Sequence, residues 1–191
     1  MRQCRICRLP ILATNLRMTV ITRERTLVRA VAFSGRTPGE ALARVNELVQ
    51  ADSASDLFVT MIYAIWNPRA ASVAFANAGH NPPLLCRSSG EVSILRSHGI
   101  ALGVVDRLSP ELVWLDLQVG DVLLLYTDGL TDALNELGEE FGLTRLQAAL
   151  AKVRYLDAEH IAAALMNVVD DFIGDESPFD DQTLVVLKRE A

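Results

Sequence analysis

The chain has 191 residues, half of them hydrophobic, with 18 basic residues against 24 acidic ones and a formal charge of −6. That length suits one domain with a sizeable core. No apolar run reaches the 18 or so residues of a membrane span, and the acidic balance argues against nucleic acid as a partner.

The charge is uneven along the chain. Residues 1–29 hold seven Arg and a single acid, Glu24, leaving 11 basic against 23 acidic residues in the remainder, a net of −12. Residues 1–17 (MRQCRICRLPILATNLR) are an atypical N-terminal segment with no acid at all. Their Arg-rich start has the charge of a signal-peptide head, but Leu9–Ala13 is too short and Pro-broken to be its apolar core. Cys4-x-x-Cys7 lacks the βαβ context of a redox pair and the further ligands of a zinc site. With Cys86 the only other cysteine, no disulfide framework forms, which fits a reducing cytoplasm.

Residues 18–33 predict a helix, with Val20, Leu27, Val28 and Val31 near one face. Thr37-Pro38-Gly39-Glu40 opens a second helix: Thr37 caps the first turn, Pro38 fits the first helical position and Glu40 completes a capping box. Ala41, Leu42, Val45, Leu48 and Val49 form its buried stripe. After Ser53–Asp56 the period becomes strand-like. Leu57–Trp66 and Ala71–Asn77 flank the turn Asn67-Pro68-Arg69. Leu84–Cys86 and Val92–Leu95 flank Ser88-Ser89-Gly90, a second hairpin. Leu112–Leu117 and Val122–Tyr126 flank Val119-Gly120-Asp121, a third. Helical spacing returns at 144–153 and 157–173, the latter with a stripe of Ile161, Leu165, Val168 and Phe172. Thr183–Leu187 is a closing β-branched strand. Hairpin-linked strands with helices grouped at the ends predict an α+β fold with antiparallel sheet.

Two acidic clusters sit at the ends of apolar strands. Leu123–Tyr126 runs into Thr127-Asp128-Gly129-Leu130-Thr131-Asp132, and Phe179-Asp180-Asp181-Gln182-Thr183 leads into the final strand. No Lys or Arg lies within six residues of any of these four carboxylates. Adjacent acids at the mouth of a buried strand are costly unless solvated, paired or cation-bound. Mg²⁺ and Mn²⁺ take oxygen ligands and keep several waters, so a few carboxylates suffice. Taken alone, Asp-Gly also reads as a turn and Asp-Asp as a solvated loop.

Tyr126–Ala133 and Asp180–Leu187 resemble two hallmark stretches of the bacterial SpoIIE/RsbU-type phosphatases, members of the metal-dependent PP2C-like (PPM) superfamily. Phe58-Val59-Thr60-Met61 resembles the family's F-x-T strand, Asn77–Pro83 its Ala-Gly-His-Asn-Pro-Pro hairpin, and Gly99–Gly103 its Gly-x-x-Leu-Gly loop. Gly120-Asp121 opens the strand before Asp128. These pieces fall in the family's order over residues 18–188, so 18–191 is identified as a phosphatase domain. The resemblance implies an antiparallel β-sandwich flanked by helices (α-β-β-α), N-terminally incomplete. It implies hydrolysis of phosphoserine or phosphothreonine at a two-metal site holding Mg²⁺ or Mn²⁺. Carried over by motif, Asp128 and Asp180 are metal ligands and carry the catalysis. Asp181 is a further neighbour of the metal, with Gly129 and Asp132 in support. His80 reads either as a general acid with a pKa suited to neutral pH or as the lock of a structural turn; the motif favours the turn. His98 and His160 read as surface residues.

The family opens with a G-D-x-x-x-x-G strand whose Asp bridges both metals, just ahead of its first long helix. The acid-free Met1–Arg17 therefore implies a frameshift, a wrong start or a truncation that leaves the two-metal site incomplete. Two functions follow as expectations: a cytoplasmic phosphatase, impaired to the extent that this ligand is lost, or a phosphatase-fold regulator that binds a phosphoprotein without turning it over. The resemblance names the partner as a phosphorylated STAS-type anti-sigma-factor antagonist. The helical faces at 18–33 and 37–50 suit a homodimer and are equally explained by the domain's own core.

Overall fold

The computed structural model describes residues 16–20, 36–51, 58–175 and 180–191. In chain order its elements are β1 (Leu16–Val20), α1 (Pro38–Ala51), β2 (Met61–Asn67), β3 (Ser72–Ala78), β4 (Leu84–Cys86) and β5 (Val92–Ile94). They continue with β6 (Leu112–Asp116), β7 (Val122–Tyr126), the single-turn α2 (Asp128–Thr131), α3 (Gly142–Val153), α4 (Ala158–Ile173) and β8 (Leu184–Lys188). The architecture is α+β with antiparallel sheets, as the strand and helix patterns predict. Among the described residues no helix is long and apolar enough to cross a membrane.

The described residues divide into two compact units, one within 16–82 and 96–117, the other within 83–95 and 118–191. The first unit holds the sheet β1-β2-β3-β6, the second the sheet β5-β4-β7-β8.

In the first unit β2 and β3 form the expected hairpin, from Asn67↔Ser72 to Met61↔Ala78. The Asn67 side chain closes its turn by accepting hydrogen bonds from the Arg69 and Ala70 amides, both at 3.1 Å. Helix α1 lays Leu42 and Val45 on Met61, Tyr63, Ala76 and Ala78 to make this unit's core, joined by Leu102. The capping box forms: the Thr37 amide donates to Glu40 Oε2 at 2.8 Å, and the Glu40 amide donates to Thr37 Oγ1 at 3.4 Å. Those bonds from Thr37 hold the Glu40 carboxyl below its ordinary pKa. Thr37→Ala is expected to lower the melting temperature by about 3 °C. Because the folded value is depressed, the stabilisation from Glu40 is present above the ordinary carboxylate range. It is lost as the pH falls through the lowered value. The gap between the melting curves of the two proteins should therefore narrow in acid, as the bond from the Thr37 hydroxyl to the Glu40 carboxylate is lost; a gap independent of pH would contradict this assignment.

Asn46 lies on the buried side of α1 and is fully enclosed. Its amide nitrogen donates to the Val105 carbonyl, and its oxygen accepts from the Gly103 amide, both at 2.8 Å. The helix thereby grips the Gly99–Gly103 loop, which Val59 joins by a two-bond bridge to Leu102.

In the second unit α3 and α4 cover β4, β7 and β8, with Leu146, Leu150, Ile161, Leu165 and Val169 packed on Leu84, Leu124 and Tyr126. Asp157 caps α4 through the His160 amide at 2.9 Å. His160 and His98 are both exposed and paired with carboxylates, Asp157 and Glu111 respectively. Cys86 is buried in β4, and that burial raises its thiol pKa.

Three expectations are corrected. Met18–Val20, the start of the expected 18–33 helix, lie in β1, paired antiparallel with β2 from Leu16↔Trp66 to Val20↔Ile62. Thr19 and Val20 are β-branched, and the β2 edge offers them a complete hydrogen-bond ladder; residues 21–33 lie outside the described residues. The third hairpin does not form. β6 pairs with β3 and β7 with β4 and β8, because the 118–121 turn is tied into the sheet of β7. The buried Asp121 carboxylate accepts from Gln118 N (2.8 Å), Ser88 N (3.0 Å) and Arg87 Nη1 (2.7 Å), while Gly120 N donates to Arg189 O at 2.8 Å. On α4, Val168 is exposed; Val169 and Ile173 continue the buried i, i+4 ridge from Ile161 and Leu165.

Candidate metal centre

Strand β7 is buried throughout and delivers the chain to Thr127, itself 9% exposed. One residue later Asp128 emerges into solvent as the first residue of α2. Strand β8 runs antiparallel to β7 with Tyr126 opposite Leu184. The residues just before β8 therefore lie beside those just after β7. The register thus places the exposed Asp180 and Asp181 next to the Asp128 turn, although some fifty residues separate them in sequence.

Short contacts fix this junction. The Thr127 amide donates to the Thr183 carbonyl at 3.0 Å. The Thr127 hydroxyl donates to the Asp181 carbonyl at 3.0 Å, lies 3.4 Å from the Thr183 carbonyl, and accepts from the Thr183 amide at 3.0 Å. Gly129 packs so tightly that a Cβ there would fall 2.6 Å from the Asp181 carbonyl oxygen. Only glycine admits this approach.

The carboxylates are oriented locally. Asp128 Oδ1 accepts from the Gly129 amide at 3.0 Å and Asp180 Oδ1 from the Asp181 amide at 2.7 Å. Asp132 closes the α2 turn by donating its amide to the Asp128 carbonyl at 2.8 Å, and its Oδ1 takes the Thr131 hydroxyl at 2.9 Å. Among the described residues none of Asp128, Asp132, Asp180 and Asp181 makes an ion pair with Lys, Arg or His. The donor set is all oxygen and exposed, and among the described residues no basic side chain pairs with it, which fits a hard divalent cation that keeps most of its waters. Among the described residues no group of three or more His, Cys, Asp or Glu side chains converges to hold an ion unaided.

His80 belongs to the other unit. The Asn77 side chain holds its backbone from both sides: Asn77 Nδ2 donates to the His80 carbonyl, and the His80 backbone amide donates to Asn77 Oδ1, each at 2.8 Å. The ring Nδ1 lies 3.1 Å from Thr60 Oγ1, so the F-x-T strand and the Ala-Gly-His hairpin meet through this side chain. The same hairpin interlocks with the Gly-x-x-Leu-Gly loop, since a Cβ on Gly99 would fall 1.8 Å from the Asn77 carbonyl oxygen. Of the junction residues, sequence reasoning gave no role to Thr127. Its signal is modest: a hydroxyl immediately after a buried strand and immediately before an acid.

The profile of the SpoIIE family, described as Stage II sporulation protein E (SpoIIE), matches residues 18–190. Protein IcfG of Synechocystis sp. is 31% identical over 138 residues, covering 70% of this chain and 21% of its own. Phosphoserine phosphatase RsbU of Bacillus subtilis is 26% identical over 163 residues, covering 82% of this chain and 46% of its own. The chain thus spans less than half the length of either curated relative. Among solved structures, the SiaA-PP2C domain of Pseudomonas aeruginosa superposes with a TM-score of 0.76 at 19% identity, covering 92% of this chain and 80% of that one. At that identity the likeness is one of fold, and the fold is PP2C-like. The profile match spans nearly the whole chain, and with the ordered motifs it places this chain in the SpoIIE family.

Proposed function

We propose that this chain is a metal-dependent protein serine/threonine phosphatase in which Asp128 and Asp180 hold Mg²⁺ or Mn²⁺, with Asp181 beside them. One observation carries the reading: the antiparallel pairing of β7 and β8 sets two acidic strand ends side by side, with no basic partner among the described residues. Similarity to a phosphoserine phosphatase supports the substrate class. Bound divalent ions supply an activated water and neutralise charge on the phosphoryl group. The protein's own part is to fix their oxygen ligands. Asp128 is held at the first turn of α2, and Gly129 clears room for the Asp181 backbone. Asp132 and Thr131 hold the turn closed behind them. His80 acts on this reading as the lock of the Asn77–Asn81 turn.

The resemblance extends the proposal to a serine-phosphorylated STAS-type anti-sigma-factor antagonist as substrate, in the cytoplasm. The test is phosphate release from a phosphoserine peptide with added Mn²⁺, with and without chelator. Release that requires Mn²⁺ supports the enzyme. Metal-independent release contradicts it. Tight binding of the phosphopeptide without release favours the alternative of a regulator that binds and does not hydrolyse.

A further inference from the structure

We infer that Thr127 is a positioning residue whose hydroxyl clamps the two acidic strand ends together and thereby sets their affinity for a divalent cation; the inference rests on the metal-site reading above. Thr127 is buried, so its hydroxyl works within the protein. It spans the junction in both directions, donating to the Asp181 carbonyl and accepting from the Thr183 amide, each at 3.0 Å. Its own amide adds a third tie, to the Thr183 carbonyl. One side chain therefore links the residue before Asp128 to the residues on either side of Gln182. On the next residue but one, the bare Gly129 backbone abuts the Asp181 carbonyl, so the spacing is fixed by contact as well as by hydrogen bonds.

A cation shared between carboxylates on two strands gains most when their separation is set before it arrives, because otherwise part of the binding energy goes into ordering the loop. A side chain that orients ligands without touching the metal typically changes affinity by 10–100-fold when removed. Thr127→Val keeps the volume and branching of the side chain and removes only the hydrogen-bonding atom.

The experiment is Mn²⁺ titration of the purified chain, followed by the electron paramagnetic resonance signal of free Mn²⁺, together with hydrogen exchange at the Thr183 amide. Thr127→Val is expected to bind Mn²⁺ roughly tenfold more weakly and to lose protection at Thr183, and Thr127→Ser, which retains the hydroxyl, to behave like the wild type. If Thr127→Val does not fold, Thr127→Ala carries the same comparison against Thr127→Ser. Valine or alanine variants that bind as tightly as the wild type would overturn the clamp, as would a serine variant as weak as valine. Asp128→Asn separates the two claims. If it weakens Mn²⁺ binding and Thr127→Val does not, only the clamp fails. If Asp128→Asn leaves binding unchanged, or the wild type binds no Mn²⁺, the metal-site reading fails and the clamp's role in affinity with it.

Discussion

Replacing Asp128 by Asn is expected to lower Mn²⁺-dependent hydrolysis of phosphoserine at least ~100-fold while leaving the fold intact. The carboxylate is exposed, and the only hydrogen bond it accepts within the described chain comes from the adjacent Gly129 amide. An asparagine oxygen can accept the same bond, so α2 should keep its turn. What asparagine removes is the charge and the second ligand oxygen that a hard cation requires. Asp180→Asn should behave in the same way, since among the described residues Asp180 Oδ1 accepts only from its neighbour's amide. Asp132→Asn should cost less, because Asp132 Oδ1 is taken by the Thr131 hydroxyl and its backbone closes the turn. Initial rates on a phosphopeptide, read beside melting curves, check the series. Full activity in both Asp128→Asn and Asp180→Asn would remove these residues from the site.

The second large effect is on stability. Gly99→Ala is expected to destabilise the protein by about 3 kcal/mol, a fall in melting temperature of roughly 10 °C. The added methyl would sit 1.8 Å from the Asn77 carbonyl oxygen and 2.9 Å from its carbon, both backbone atoms of a buried strand. Neither can swing aside as a side-chain tip would. Moving Asn77 would also pull on its two hydrogen bonds to His80 and, through the ring, on Thr60. The alternative is for the 99–103 loop to withdraw, which strains the Leu102–Val59 bridge and the Asn46 grip on Gly103. Thermal denaturation decides the matter; a melting temperature within a degree or two of wild type would show that the two loops do not interlock.

Local chemistry in the sequence carried much of this fold. Thr37 and Glu40 announce the start of α1 because a capping box is a contact three residues long. The Asn67-Pro68-Arg69 turn announces the β2–β3 hairpin for the same reason. Strand partners set by distant residues were not legible. Nothing near Val119–Asp121 says that its carboxylate will be taken by Ser88 and Arg87, which is what denies β6 and β7 their hairpin. The β-branched Val20 also fits a helical stripe with Leu27, Val28 and Val31 until pairing with β2 claims it. In the candidate site, the acids were visible as carboxylates at strand ends. Their adjacency depends on the register Tyr126↔Leu184, a long-range pairing that spacing alone cannot supply. Asn46 and Thr127 were missed because each is a single polar group on an otherwise apolar or loop-like stretch, given meaning only by backbone atoms far along the chain.

The most direct test is to locate manganese itself, by an anomalous difference map from crystals of this chain soaked in MnCl₂. The account predicts a peak within coordinating distance, about 2.2 Å, of carboxylate oxygens from both Asp128 and Asp180. Manganese bound elsewhere, or at neither carboxylate, would contradict it.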